Sequence, residues 1–197
     1  MNFAPEDFAR AGFAIDPFKA LIVPRPIAWV STLAANGQAN LAPYSFFNAF
    51  STEPYYLVFG SGGRKHSLVN AESSGEFVVN IVNAELAEPM NVSSAHVPVD
   101  EFALAGLEKA PCVKVKAPRV KAAPASFECR LHDIVGLPGE DGQARDFLVI
   151  GKVVWVHVDA RFVANGRVDT AAMQPIARLG YAEYATVDAV WRMRRPE

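Results

Sequence analysis

Arg64 and Lys65 follow the glycine-rich turn Gly60-Ser61-Gly62-Gly63 and open a stretch, Lys65 to Glu72, that reads as a short helix. Free backbone N–H groups at a helix N-terminus, beside two cations, suit a phosphate. Ahead of this turn the chain carries no charged residue from Pro26 to Thr52. Polar residues stud the apolar segments instead: Ser31, Thr32, Asn40, Ser45 and Asn48, then Ser61, Ser67 and Asn80. None ionises, and each can donate or accept a hydrogen bond in a dry site. An apolar, aromatic region with neutral hydrogen-bonding groups, ending at one phosphate site, fits a flat heteroaromatic ring with a hydroxylated tail and a terminal phosphate. That is the outline of FMN. A plainer reading stands beside it: strand Ser and Thr bond to backbone, and Arg-Lys after a glycine turn is solvated surface.

Other chemistries fail on spacing. Both GxGxxG and the P-loop pattern, counted from Gly60, need glycine where Lys65 stands. There is no GxSxG elbow for a serine nucleophile. The histidines, His66, His96, His132 and His157, form no HxH or HExxH pair. Cys112 and Cys129 form no CxxC and have no His at ligand spacing, so no metal site is expected and two buried thiols are. No side-chain acid, base or nucleophile is expected to be catalytic. His157, in an apolar strand, reads as a satisfied core or interface histidine.

The elements that would position these residues are mostly strands. Ile27 to Leu33 mixes β-branched and aromatic residues and ends at Asn36-Gly37, a hairpin signal, with a return through Gln38 to Ala42. Tyr55 to Phe59, Glu76 to Val82, Val113 to Lys116, Ser126 to Val135 and Phe147 to Val158 read as further strands. The segment Pro138-Gly139-Glu140-Asp141-Gly142 is turn chemistry. Ala84 to Met90 reads as helical, and Asp100 is placed to cap a short helix. Ala110 to Pro124 reads as a crossing loop or edge strand. The last long strand is apolar on both faces apart from Lys152 and His157, which implies a barrel interior on one side and a helix or a second subunit on the other. The expected fold is mainly β with short helices, a barrel in one domain over 1–197, with its core at about 20–185.

The 197 residues are half hydrophobic and one-fifth charged, as in a globular protein, and the net charge of -2 gives no footprint for a nucleic-acid partner. Pro43 and the Asn36-Gly37 turn interrupt the uncharged stretch, so it is not a membrane helix. The acidic start, MNFAPEDFAR, lacks an apolar signal core, and a cytoplasmic location is expected.

Taken in order, Pro24-Arg25-Pro26-Ile27-Ala28-Trp29-Val30-Ser31-Thr32-Leu33, Asn36-Gly37 and Asn40-Leu41-Ala42-Pro43-Tyr44-Ser45-Phe46-Phe47-Asn48 resemble the flavin-reductase-like family of FMN-binding split β-barrels, especially its flavoredoxin-like branch. Arg64-Lys65-His66-Ser67 with Asn70, Gly75 to Asn80, Asp100-Glu101-Phe102, Phe127-Glu128-Cys129, Ile150 to Val153 and Arg178-Leu179-Gly180 extend the likeness over most of the chain. The resemblance implies FMN as cofactor in a homodimer, with the flavin near the subunit interface. Ser31, Thr32 and Leu33, with Pro43, Tyr44, Ser45, Phe46 and Asn48, would then lie along the flavin. Ser61 and the Arg64-Lys65-His66-Ser67 turn would hold the phosphate end, and Asn80 and Arg178 are further contacts. Tyr44 would stack on the ring or restrict access to it, and Trp29 would either pack in the core or touch the flavin. The implied activity is an NADH- or NADPH-dependent flavin reductase passing electrons to a partner oxygenase or another acceptor. The alternatives are an electron carrier without nicotinamide turnover and a non-catalytic interaction barrel.

Overall fold

The computed structural model describes residues 1–95 and 99–196, so His96 lies outside the described residues. Helix α1 (Phe18–Leu21) leads into β1 (Arg25–Pro26), and two hairpins follow. The first joins β2 (Ala28–Leu33) to β3 (Ala39–Tyr44), and the second joins β4 (Phe47–Thr52) to β5 (Tyr55–Gly62). Next come α2 (His66–Ser74), β6 (Glu76–Ile81), α3 (Ala87–Val92), α4 (Glu101–Leu104) and the short pair β7 (Lys109–Ala110) and β8 (Arg119–Val120). The long strands β9 (Ala125–Pro138) and β10 (Ala144–Val158) form the third hairpin. The chain closes with β11 (Val163–Ala164), β12 (Arg167–Val168), α5 (Thr170–Met173), β13 (Ile176–Arg178) and β14 (Tyr184–Thr186).

Seven strands make the main antiparallel sheet, in the order β3-β2-β6-β9-β10-β5-β4. The turns form where the sequence places them. Gly37 sits at φ +83° between β2 and β3, and Gly142 at φ +76° between β9 and β10, conformations that glycine adopts without a Cβ penalty. Asp100 caps α4 by accepting from the Phe102 N–H.

Strand β2 is buried on both faces, and its side chains alternate between two cores. Ala28 and Val30 pack with Phe59, Phe77, Val149 and, from α2, Leu68 and Ala71. Trp29 points into the other core with Leu41, Met90, Phe102 and Val120, and donates its indole N–H to Ser93 Oγ at 2.9 Å. Trp29 is therefore a core residue, fully buried.

One expectation needs correction. Val113 to Lys116 is not a strand. Its N–H groups go to side chains instead of a ladder: Val113 to Glu128 Oε1 at 2.7 Å, Lys114 and Val115 to Glu128 Oε2 at 2.6 and 3.1 Å, and Lys116 to Glu76 Oε1. Within one chain β10 leaves apolar side chains open, with Trp155, Val156 and Val158 42%, 41% and 43% exposed. Strand β4 is the outer strand of the sheet beside β5.

Glu128 is wholly buried. Burial alone pushes its carboxyl up, but the Val113 N–H, His157 and the Lys114 and Val115 N–H groups outweigh it and hold the group below the usual carboxylate range. A depressed folded-state value means stability that is present above the unfolded value, about pH 4.3, and lost as pH falls through the folded one. Glu128→Gln is expected to cost about 1–3 kcal/mol at pH 7 and to flatten the acid limb of the stability curve below about pH 4, read by urea melts across pH.

Candidate functional site

One cleft of about 1760 Å³ runs between the N-terminal segment, the β3–β4 corner, β5, the start of α2, the tip of the β9–β10 hairpin and the β13–β14 hairpin. Typical small-molecule sites hold about 300–1,000 Å³, so this cleft has room beyond one ligand. Two of the segments meet through Gly60. Its N–H donates to the Phe46 carbonyl at 2.7 Å, and a Cβ there would stand 3.1 Å from Phe46 Cβ. Glycine lets the β3–β4 corner lie against β5 and form that wall.

The structure brings eleven of the sequence-derived candidates onto this cleft. Pro43, Tyr44, Ser45, Phe46 and Asn48 come from the β3–β4 corner, Ser61 from β5, Arg64, Lys65, His66 and Ser67 from the start of α2, and Arg178 from β13. Lys65, the residue before α2, provides no side-chain cap. The first-turn N–H groups at His66, Ser67 and Leu68 are thus left to an incoming acceptor, in a helix of nine residues. Ser67 is buried and accepts from Asn40 Nδ2 at 3.0 Å. Arg64 reaches back to Glu72 and lies 5.8 Å from the Phe147 ring centroid, whereas Lys65 pairs with no carboxylate among the described residues. Ser61 donates to the Gly63 carbonyl at 2.8 Å and fixes the turn that precedes α2. Asn48 bonds its neighbour's backbone, Ala49 N–H, at 2.8 Å.

Four candidates are not on the cleft, and the protein's own hydrogen bonds engage the three polar ones among them. Asn80 makes four hydrogen bonds: Nδ2 to the Trp29 carbonyl (2.9 Å) and Ser31 Oγ (3.2 Å), and Oδ1 from the Val120 N–H (3.0 Å) and Ser126 Oγ (2.9 Å). Ser31 donates to the Pro118 carbonyl at 2.5 Å, and Thr32 accepts from Asn70 Nδ2 at 3.1 Å. Leu33 faces a separate hollow of about 650 Å³ beside Glu76, Lys114 and Arg130. Asn40, named with the polar residues of the uncharged stretch, also lines the cleft, and sequence reasoning passed over Arg25, Tyr181 and Tyr184, which line it too. The signal for Arg25 was its place as the last charge before the uncharged stretch.

Tyr44 does not present its ring to a ligand. The ring packs in the core, 4.7 Å from the Phe59 centroid, and the residue is 8% exposed. Burial pushes its phenol up, and the hydroxyls of Ser67 and Ser61 offset part of that. Its hydroxyl therefore sits under the start of α2 as part of the floor.

The fold also gathers Cys112, Glu128 and His157, whose ligand-type atoms lie within 4.8 Å of one another, a grouping that linear spacing does not show. Glu128 already accepts three backbone N–H groups and contacts His157 Nε2 at 2.6 Å, so both its oxygens are engaged. Burial, with Glu128 beside it, pushes the Cys112 thiol up to about 12. The trio anchors the crossing segment.

The family model described as "Flavin reductase like domain" matches residues 20–172, and the chain belongs to that family. Uncharacterized proteins of Halalkalibacterium halodurans and Bacillus subtilis are 34% and 32% identical to it, over 89% and 93% of this chain and 87% and 95% of theirs. Among solved structures, nitrilotriacetate monooxygenase component B from Bacillus cereus superposes with a TM-score of 0.88 at 30% identity, over 98% of each chain. The 2-nitrobenzoate 2-nitroreductase of Pseudomonas fluorescens gives 0.86 at 27% identity, over 100% of this chain and 96% of that one. The fold is the split β-barrel of this family, and its chemistry is flavin-dependent oxidoreduction. No helix among the described residues is long and apolar enough to cross a membrane.

Tyr44→Phe keeps the ring packing and removes the hydroxyl beneath α2. It is expected to lower stability by about 1 kcal/mol near pH 7, against about 3–5 kcal/mol for Tyr44→Ala. A phenol raised in the folded state loses stability as pH climbs past the unfolded value of about 10, so the wild type should weaken above that pH more steeply than the Phe variant. Denaturant melts at pH 7 and in alkaline buffer read both effects.

Proposed function

We propose that this chain is an FMN-dependent oxidoreductase of the flavin reductase type, with NADH or NADPH as electron donor. The observation that carries the reading is the start of α2: an uncapped helix N-terminus, a Lys65 with no carboxylate partner among the described residues and the Ser67 hydroxyl, at one end of a cleft walled by aromatic and neutral polar residues. This donor set fits the phosphate of FMN. Backbone N–H groups of α2, Lys65 and Ser67 would bind it directly, with Arg64 adding charge from its place beside Glu72. Hydride acceptance from a nicotinamide and its passage onward are the chemistry FMN supplies when bound. The chain's own task is to bind and orient, with Pro43, Ser45 and Phe46 shaping the wall and the Tyr44 hydroxyl fixing Ser61 and Ser67 from below. No ionisable side chain is needed to move a proton, which suits a cleft built mainly of neutral groups.

The acceptor is a separate molecule in this reading. The similarity to a component named as part of a monooxygenase supports a partner oxygenase as one such acceptor. We further infer a homodimer. Trp155, Val156 and Val158 on β10, and Phe50 at 70% exposure on the outer strand β4, are apolar surface that a second copy would cover. Light scattering of the purified protein is expected to give twice the chain mass, and a monomer would remove this inference.

Arg64→Ala with Lys65→Ala is expected to weaken FMN binding by about tenfold or more, since a charge-assisted contact contributes roughly 1.5–3 kcal/mol. Titration of FMN followed by fluorescence quenching measures it, and unchanged affinity would refute the phosphate assignment. The activity itself is tested anaerobically by following absorbance at ~450 nm, the oxidised flavin band, after adding NADH or NADPH to FMN-loaded protein. Bleaching with at least one donor is the expected result. A spectrum that persists with both would make the protein an electron carrier reduced by another partner.

A further inference from the structure

Arg25 and Arg178 stand directly opposite each other across the antiparallel β1–β13 ladder. Like charges so placed repel, and strand pairs ordinarily avoid them. Neither guanidinium has a carboxylate partner among the described residues. Arg25, 7% exposed, donates to the carbonyls of Lys19, Ile22 (2.7 Å) and Leu179 (2.8 Å), and its Nε has no partner. Arg178 donates to the Tyr184 hydroxyl and the Tyr181 carbonyl. All five acceptors are neutral, so they fix the two forks in place without cancelling either charge. Burial and the charge of Arg178 together push Arg25 down from its usual value, the mark of an uncompensated pair.

Both arginines line the cleft, on the small β1-β13-β14 sheet and not on α2. Aromatic rings surround them. Arg178 lies 4.5 Å from the Tyr184 centroid and Arg25 5.9 Å from that of Phe46, and Phe46, Tyr181 and Tyr184 are 48%, 52% and 40% exposed. Flat conjugated rings stack on such faces, and a planar guanidinium grips carboxylate or phosphate through two parallel hydrogen bonds.

We propose that Arg178, backed by Arg25, is a second anion subsite of the cleft, which takes the carboxylate or phosphate of the flat conjugated molecule that exchanges electrons with the flavin. The proposal rests on the flavin reading above, and it assigns Arg178 to the second ligand in place of the flavin contact that the family resemblance implies. FMN has one phosphate, which the start of α2 accounts for, and the cleft volume leaves space for a second ligand. The subsite makes the protein selective for anionic reaction partners over their neutral isosteres.

The test uses FMN-loaded protein and follows perturbation of the flavin absorption spectrum. Benzoate is titrated against benzamide, and ADP against adenosine. The first pair reads a carboxylate and the second a phosphate. Wild type is expected to favour the anion by about tenfold or more in at least one pair, and that pair names the source. In Arg178→Gln the preference should fall below about threefold while FMN affinity, measured separately by fluorescence, stays within about threefold of wild type. Arg178→Lys, which keeps the charge and loses the fork, should retain part of the preference. Equal binding within both pairs, or a preference that survives Arg178→Gln, would overturn the subsite. A tenfold or greater loss of FMN affinity in Arg178→Gln would also overturn it, by placing Arg178 on the flavin. Wild-type protein that takes up no FMN would remove the flavin reading and this proposal together, an outcome distinct from all the others.

Discussion

Three buried polar side chains on neighbouring strands hold the crossing segment 113–120 against the barrel. Glu128 on β9 accepts the N–H groups of Val113, Lys114 and Val115, Glu76 on β6 accepts that of Lys116, and Asn80 on β6 accepts that of Val120. A segment crossing a sheet has no ladder of its own, and unpaired buried N–H groups cost about 1–3 kcal/mol each. The carboxylates and the amide serve as its ladder. Their own burial is tolerable because each is filled: Glu76 by Arg130 at 2.6 Å, Glu128 by His157, and Asn80 by Ser31 and Ser126. The same network fixes β2 between the two cores, and β2 in turn carries β3 and the corner that shapes the cleft.

The cleft is electrostatically lopsided. Lys19, Arg25, Arg64, Lys65, Arg145 and Arg178 line it against the carboxylates of Glu101 and Asp146, and of the six cations only Arg64 and Arg145 have an acidic partner among the described residues. The Glu101 carboxylate, which also lines it, accepts the Leu41 N–H at 3.2 Å and serves as structure. Uncompensated cations on separate elements, joined by aromatic and neutral walls, favour flat anionic ligands over neutral or cationic ones. In the proposed reading the protein supplies geometry and charge, and a bound flavin would supply the reactivity.

Local chemistry was readable wherever one segment determined its own structure. Asn36-Gly37, the 138–142 turn, the Asp100 cap and the start of α2 all follow from a few adjacent residues. Site assignments along β2 and β6 failed for a nonlocal reason. Ser31, Thr32 and Asn80 have the side chains of ligand contacts, but their partners Pro118, Asn70 and Val120 come from distant parts of the chain. Sequence alone does not show which polar group meets which. The Arg25–Arg178 opposition is hidden in the same way, since it depends on pairing two short strands from opposite ends of the chain. Val113 to Lys116 misled because alternating valine and lysine is strand-like, whereas the buried carboxylates beneath had already claimed its backbone.

The role proposed for the start of α2 is to bind the phosphate of a flavin mononucleotide. Isothermal titration of flavin-free protein with FMN and with riboflavin, which differ only by that phosphate, tests it most directly. FMN is expected to bind about a hundredfold or more tightly than riboflavin, as two charge-assisted contacts imply. Equal affinity for the two flavins would contradict it, because the helix N-terminus and Lys65 would then have no part in holding the ligand.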